Sequence, residues 1–328
     1  MPRLWALATA VGLLTSVAAL STQDIPHDVP VSTLLSSAQS HLSKGETSEA
    51  LVYYDVAISR DPSNYLTLFK RGATYLSLGR MNQATDDFYK VLNIEPGFEG
   101  AHVQLAKIKS KTGDWDAAIS EYIAAKKAPD SPEIVELEEA KGAASLAEES
   151  SKAGQWEDCV NHAGVAILVA PRVPALRELR SSCRFERGEL EEAMSDLQHI
   201  LNLRPGDTKP HLVVSATTFY GLGDVDNGIA QMKKCLHSDP ESKVCKKLHK
   251  KQKAIKKTLD KARAQLQRGQ TTTAGRTLVG TAEETGLISD IKEEIQQHKD
   301  DGNIPASATS KLYNTVIDLT CQAYTEVC

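Results

Sequence analysis

With 328 residues and 41% apolar content, the chain can bury a sizeable core, and as an ordinary globular chain it would make about two domains. A net charge of −5 and an aromatic content of 5% do not mark the whole chain as a nucleic-acid binder. Period-two strand patterns are nearly absent, which argues against a sheet-based fold.

The first 20 residues stand apart. Arg3 gives a short positive start, Trp5 to Leu20 is apolar except for Thr9, Thr15 and Ser16, and Val17 to Ala19 is a run of small residues. This pattern predicts a secretory signal peptide over 1–20, cleaved near Ala19. The apolar run falls short of the ~20 residues that a membrane span needs, and no later stretch could cross a bilayer.

From there a 34-residue ruler takes over. Gly45, Gly79 and Gly113 keep this spacing, as do Ala50, Ala84 and Ala118, then Tyr54, Phe88 and Tyr122, then Pro62 and Pro96. The ruler resumes with Gly154 and Gly188 and with Pro171 and Pro205, while Gly223 and Pro240 follow at 35. A fixed period of 34 is that of the tetratricopeptide repeat (TPR), a pair of amphipathic helices A and B. In the second unit the consensus reads Leu68, Gly72, Tyr75, Ala84, Phe88, Pro96. Its glycine at 79 ends helix A where a left-handed backbone is needed, and Gly72 and Ala84 let the two helices cross closely.

Between Gly113 and Gly154 the spacing is 41, so seven residues are inserted. Ala128 to Pro132 opens the insertion, and an acidic helix follows, read as a longer helix between subdomains. Fourth to sixth units carry Cys159, Ala166, Ala193, Leu197, Gly228 and Met232; a weaker seventh carries Ala262, Gly269, Ala274 and Leu278. Asp300 to Thr309 reads as a mobile loop. Ser310 to Cys328 reads as helix A of an eighth unit, whose apolar face (Leu312, Val316, Leu319, Tyr324) is left uncovered, so the chain is expected to be a fragment. The fold class is therefore all-α, a right-handed TPR superhelical solenoid of about seven and a half repeats. Its expected divisions are 30–130 (subdomain I, client binding), 131–240 (subdomain II) and 241–328 (subdomain III, incomplete).

A secretory start places the six cysteines in an oxidising lumen. Cys235 and Cys245 flank a proline-containing turn between adjacent helices, a geometry compatible with a bridge. Cys159 is either a buried free thiol or the partner of Cys183. Cys321 and Cys328 are two helical turns apart, about 10 Å along one helix, too far to pair within it.

No nucleophile elbow, P-loop, zincin or dinucleotide-binding motif occurs, and no enzyme, cofactor or metal is expected. His199 and His211 lack acidic partners at ligand spacing, and Glu138, Glu139, Glu148 and Glu149 read as a solvated face. Lys243 to Arg263 carries nine lysines and one arginine against Asp260 alone. Without aromatics it reads as a basic helix surface rather than a nucleic-acid site.

The sharper signal lies in the first three units. Helix A of a TPR lines the groove of the solenoid, and its groove positions here are Leu35, Gln39 and Leu42; Leu66, Phe69, Ala73 and Leu76; then Val103 and Lys107. Leu35, Leu42, Leu66, Phe69, Ala73, Leu76 and Val103 would leave an apolar groove open to water, which usually marks a binding surface. The alternative is that Asp24 to Val31 folds over it. Leu34 to Leu42 lacks the lysine and asparagine that clamp a charged chaperone tail, so extended apolar segments of unfolded polypeptides are the favoured ligand. The rival is a scaffold that binds one folded partner.

Taken together, the signal peptide, the TPR units, the segment Cys235 to Cys245 and the stretch Ala175 to Cys183 resemble the endoplasmic-reticulum TPR/J-domain co-chaperones, the family known as inhibitor of the interferon-induced protein kinase. The resemblance covers about residues 30 to 328. It implies a protein of the endoplasmic-reticulum lumen that holds misfolded clients in its first TPR subdomain and passes them to a lumenal Hsp70 through a J domain. It also implies a disulfide between Cys235 and Cys245. The chain departs from the family in having no His-Pro-Asp motif, so stimulation of the Hsp70 ATPase is not expected of it.

Overall fold

The computed structural model describes residues 20–324. The expected signal peptide, apart from Leu20, and Cys328 lie outside the described residues. Secondary structure among the described residues is helical, with one isolated antiparallel bridge between Gly280 and Thr285. The chain divides into two compact units, one of residues up to 109 with 116–131, the other of 110–115 with 132 onward.

Along residues 31–124, α1 (Val31–Ser43) pairs with α2 (Thr47–Arg60), and α3 (Tyr65–Ser77) with α4 (Met81–Ile94); α5 (Glu99–Thr112) and α6 (Trp115–Ala124) make the third pair. The ruler glycines explain the pairing. Gly45, Gly79 and Gly113 all adopt φ between 72° and 79°, and so reverse the chain at the end of each helix A. Where α3 crosses α4, a Cβ on Gly72 would come within 2.8 Å of the Phe88 ring. Ala50, Ala84 and Ala118 are fully buried at the equivalent crossings.

In the second unit the inserted residues form one long helix, α7 (Pro132–Lys152), opened by Pro132 and paired with α8 (Trp156–Val169). There follow α9 (Pro174–Glu186) with α10 (Leu190–Leu203), α11 (Thr208–Ala216) with α12 (Val225–Ser238), and α13 (Lys243–Gln267) with α14 (Thr271–Val279). The spacing of 35 between Gly188 and Gly223 has a local cause. Helix α11 runs into a π-helical turn, Thr217–Gly221, which takes up the extra residue before Gly223 ends the helix.

The last 40 residues differ from the sequence expectation. A further helix, α15 (Leu287–Asp300), precedes α16 (Lys311–Ala323). The apolar face of α16 is covered within the unit: Leu312 and Val316 are buried in one cluster with Phe219, Tyr220, Leu259 and Leu278, and Leu319 packs against it. Leu319 is half-buried and Tyr324 stays exposed at 41%, its ring lying where a side chain on Gly275 would otherwise stand. The segment expected to be a mobile loop is pinned. Lys209 Nζ donates to the carbonyls of Asp301 (2.7 Å) and Gly302 (3.2 Å) and to Asn303 Oδ1 (2.9 Å). Ile304 is 4% exposed in the same apolar cluster, which runs from Ala216 to Ala323 across the point where a third subdomain was expected to begin.

Candidate functional site

The seven residues expected to line a groove fall on the first helix of successive pairs in the first unit. Leu35 and Leu42 stand on α1, Leu66, Phe69, Ala73 and Leu76 on α3, and Val103 on α5. Spacings of three and four residues keep the α3 members on one face. They are not equally free. Leu66 is 48% exposed and Ala73 is exposed, whereas Leu35, Leu42, Phe69, Leu76 and Val103 are half-buried. Phe69 is engaged in packing, with ring centroids 5.6 Å from Phe88 and 5.0 Å from Phe98. Sequence spacing places Phe69 on one helix face with Leu66 and Ala73 but does not show this packing, because both ring partners lie outside helix α3.

Asp24 to Val31, the alternative occupant, packs on the first pair. Ile25 is 6% exposed and clusters with Leu34, Val56 and Ala57, with Val29, Val31 and Leu35 beside them. Arg60 donates to the carbonyls of Val29 and of Pro26, the latter at 2.8 Å. This segment joins the cluster that Leu35 packs on; none of the α3, α5 or Leu42 positions belongs to that cluster.

The α3 row is held by a charged lattice that sequence inspection missed. Arg71 on α3 forks onto Asp87 of α4 with two 2.7 Å bonds and reaches Asp55 of α2 at 2.7 Å. Burial alone would lower its pKa, but hydrogen bonds to Asp87 and Asp55 outweigh that and raise it above the ordinary arginine value. Glu121, one repeat on from Asp87, receives Lys109 (2.7 Å) and faces His102 (2.6 Å). Burial pushes the Glu121 carboxyl up, His102 and Lys109 pull it down, and the net direction is down. In the second unit the same position is Asp196, 1% exposed, met by Arg177, Arg180 and Arg184 of α9 at 3.1, 2.6 and 2.6 Å. The signal was present as an acid preceding the core residue of helix B: Asp87–Phe88, Glu121–Tyr122, Asp196–Leu197. Its cationic partners sit 16 or so residues upstream, a separation no local pattern reveals.

Two cysteine pairs are joined in the second unit. Cys235 and Cys245 link α12 to α13 with Cα atoms 6.4 Å apart, and Cys159 and Cys183 link α8 to α9 at 6.3 Å. The sequence left Cys159 open; its position against the next helix A settles its partner. Among the described residues no group of three or more His, Cys, Asp or Glu side chains is placed to hold a metal, and no helix is long and apolar enough to cross a membrane.

Residues 66–98 match the tetratricopeptide repeat family. Across 90% of this chain and 88% of the other, the structure superposes on the crystal structure of the P58(IPK) TPR domain with a TM-score of 0.65 at 22% identity. The fold is a TPR solenoid. The chain is also 61% identical over 317 residues, 97% of its length, to the tetratricopeptide repeat and J domain-containing co-chaperone DNJ1 of Fusarium oxysporum f. sp. lycopersici. It is 26% identical over 241 residues, 71% of its length, to human DnaJ homolog subfamily C member 3. This TPR chain spans 61% of the length of the fungal relative and 48% of the human one.

Proposed function

We propose that this chain belongs to the TPR/J-domain co-chaperones and serves as their client-holding part. In this reading, extended apolar segments of unfolded polypeptides lie along the helix-A row of the first unit in the endoplasmic-reticulum lumen. Clients would pass from there to a lumenal Hsp70 through a J domain, for which this chain carries no His-Pro-Asp motif. The observation that carries the reading is the α3 row, where Leu66 stands half-exposed beside Ala73 while Arg71 locks the opposite side of the helix to Asp55 and Asp87. Each Leu-sized client side chain buried there contributes roughly 1.5–3 kcal/mol before losses of chain entropy, so binding should be weak and tolerant of sequence.

The test is suppression of aggregation of a chemically denatured model protein. Leu66→Glu with Ala73→Glu is the cleaner pair, because Phe69 is tied into the core. Wild type should protect and the double variant should not, with equal helicity by circular dichroism. Equal protection by both removes the α3 row as the site. The scaffold reading keeps one specific support. Lys243, Lys247, Lys250, Lys257 and Lys261 share a face of α13 and make no ion pair among the described residues, unlike Lys246, Lys251 and Lys256. Partner capture through that face should collapse between low and high salt, whereas apolar client binding should persist.

A further inference from the structure

The second unit holds a cleft between α9 and the segment Gly302 to Ala306. One wall is α9, with Glu178, Ser182, Phe185 and Glu186; Pro210 and Val213 of α11 and Leu197 form the apolar floor. The other wall is the segment Gly302 to Ala306. Two adjoining hollows of about 330 and 180 Å³ share Ser182, Phe185, Val213 and Gly302, so they read as one groove.

The charges at its rim are unequal in availability. Lys209 spends its ammonium on Asp301 O, Gly302 O and Asn303 Oδ1, and Lys299 donates to Ala306 O at 2.8 Å. Both lysines therefore build the wall. Glu178 and Glu186 are exposed, and neither carboxylate has an ion pair or side-chain hydrogen bond among the described residues. They stand eight residues apart on α9, two turns, or about 12 Å along the axis. Both ammoniums keep their charge but are turned into the Gly302 to Ala306 wall, so the charged groups left without a hydrogen-bonded partner are the two carboxylates, at either end of an apolar floor.

We propose that this groove is a second peptide-binding site, which takes an extended segment carrying an apolar side chain bracketed by basic residues. An extended chain advances about 3.3 Å per residue, so arginines or lysines four positions apart would meet Glu178 and Glu186 while the residue between them faces Phe185 and Val213. The site is separate from the helix-A row of the first unit and differs from it in selecting for charge.

The experiment uses the full chain and two fluorescein-labelled heptapeptides, read by anisotropy. One carries two arginines four positions apart around a central leucine; the other replaces both arginines by glutamate. Wild type should bind the arginine peptide about tenfold more tightly than the glutamate peptide. Glu178→Lys with Glu186→Lys should abolish or invert that preference. Ser182→Trp, which fills the groove from an exposed position, should remove binding of the arginine peptide. Leu66→Glu should leave it unchanged, which separates this site from the proposed client row. Equal affinity for both peptides, no binding by wild type, insensitivity to the double charge reversal, or loss of binding in Leu66→Glu would each overturn the proposal.

Discussion

The third and sixth repeats solve one problem in two ways. His102 on α5 and His211 on α11 occupy the same place in the repeat. Each sets Nε2 3.0 Å from the carbonyl of a ruler proline, Pro96 or Pro205. What faces Nδ1 differs: Glu121 at 2.6 Å in one, the Gln231 amide nitrogen at 2.8 Å in the other. The ring nitrogens of His102 thus face two acceptors, and those of His211 face one acceptor and one amide nitrogen. The surroundings differ as well. The His102 and Glu121 side chains are 14% and 12% exposed and Lys109 bonds the same carboxylate, whereas His211 and Gln231 are 4% and 5% exposed and take part in no ion pair among the described residues. The lesson is that one slot of the repeat carries a charge where cations converge on it, as at Asp87, Glu121 and Asp196, and a neutral amide at Gln231, where the partner is His211.

Three substitutions probe that contrast. Asp196→Ala should have the largest effect. It strands Arg177, Arg180 and Arg184 around an empty slot, and about 3–5 kcal/mol of stability should be lost in urea unfolding followed by circular dichroism. A loss under 1 kcal/mol would show that the slot charge is dispensable even where three cations converge on it. Gln231→Glu places a carboxylate in a buried slot that no ion pair reaches among the described residues. It should cost about 1–3 kcal/mol at neutral pH, and the loss should shrink as pH falls and the carboxyl protonates. No loss would mean that the sixth repeat tolerates the charge of the third.

Glu121→Gln should cost least at neutral pH, about 1 kcal/mol. Its signature is the pH profile. The folded carboxyl is held below its ordinary value of 4.5, so its contribution is present above that value and disappears as pH falls through the folded pKa. The variant should therefore lose less stability than wild type on acidification below pH 4.5, and parallel profiles would contradict the assignment of this group.

Much of this architecture was legible in the sequence because the repeat writes its turns and crossings locally. A glycine with positive φ, an alanine at a helix crossing and a proline after helix B each act within one pair, so Gly79, Ala84 and Pro96 could be placed without coordinates. The row Leu66, Phe69, Ala73, Leu76 was legible as a helix face for the same reason. How free each member is was not, since that depends on Phe88 and Phe98. The pinned segment at Asp301 to Ala306 was illegible because its anchor, Lys209, is some 90 residues away. The uncovered face expected on α16 failed for a related reason: a fixed-period reading assigns a last helix only to a following repeat, while here it folds back across α14 and the π-helical turn. That turn also explains why the His211 partner lies 20 residues on and the His102 partner 19.

The two disulfides have a mechanical consequence. Each ties a helix B to the helix A that follows, and both lie in the second unit, enclosing sequence separations of 24 and 10. A chain pulled from its ends could pay out the first unit pair by pair to full contour length. In the second unit, roughly 80 Å and 35 Å of chain would stay locked behind the sulfurs, at about 3.4 Å per extended residue. Hauled through a narrow pore, the first unit would thread as a single strand, while the second would present two closed loops to the opening until a reductant released them.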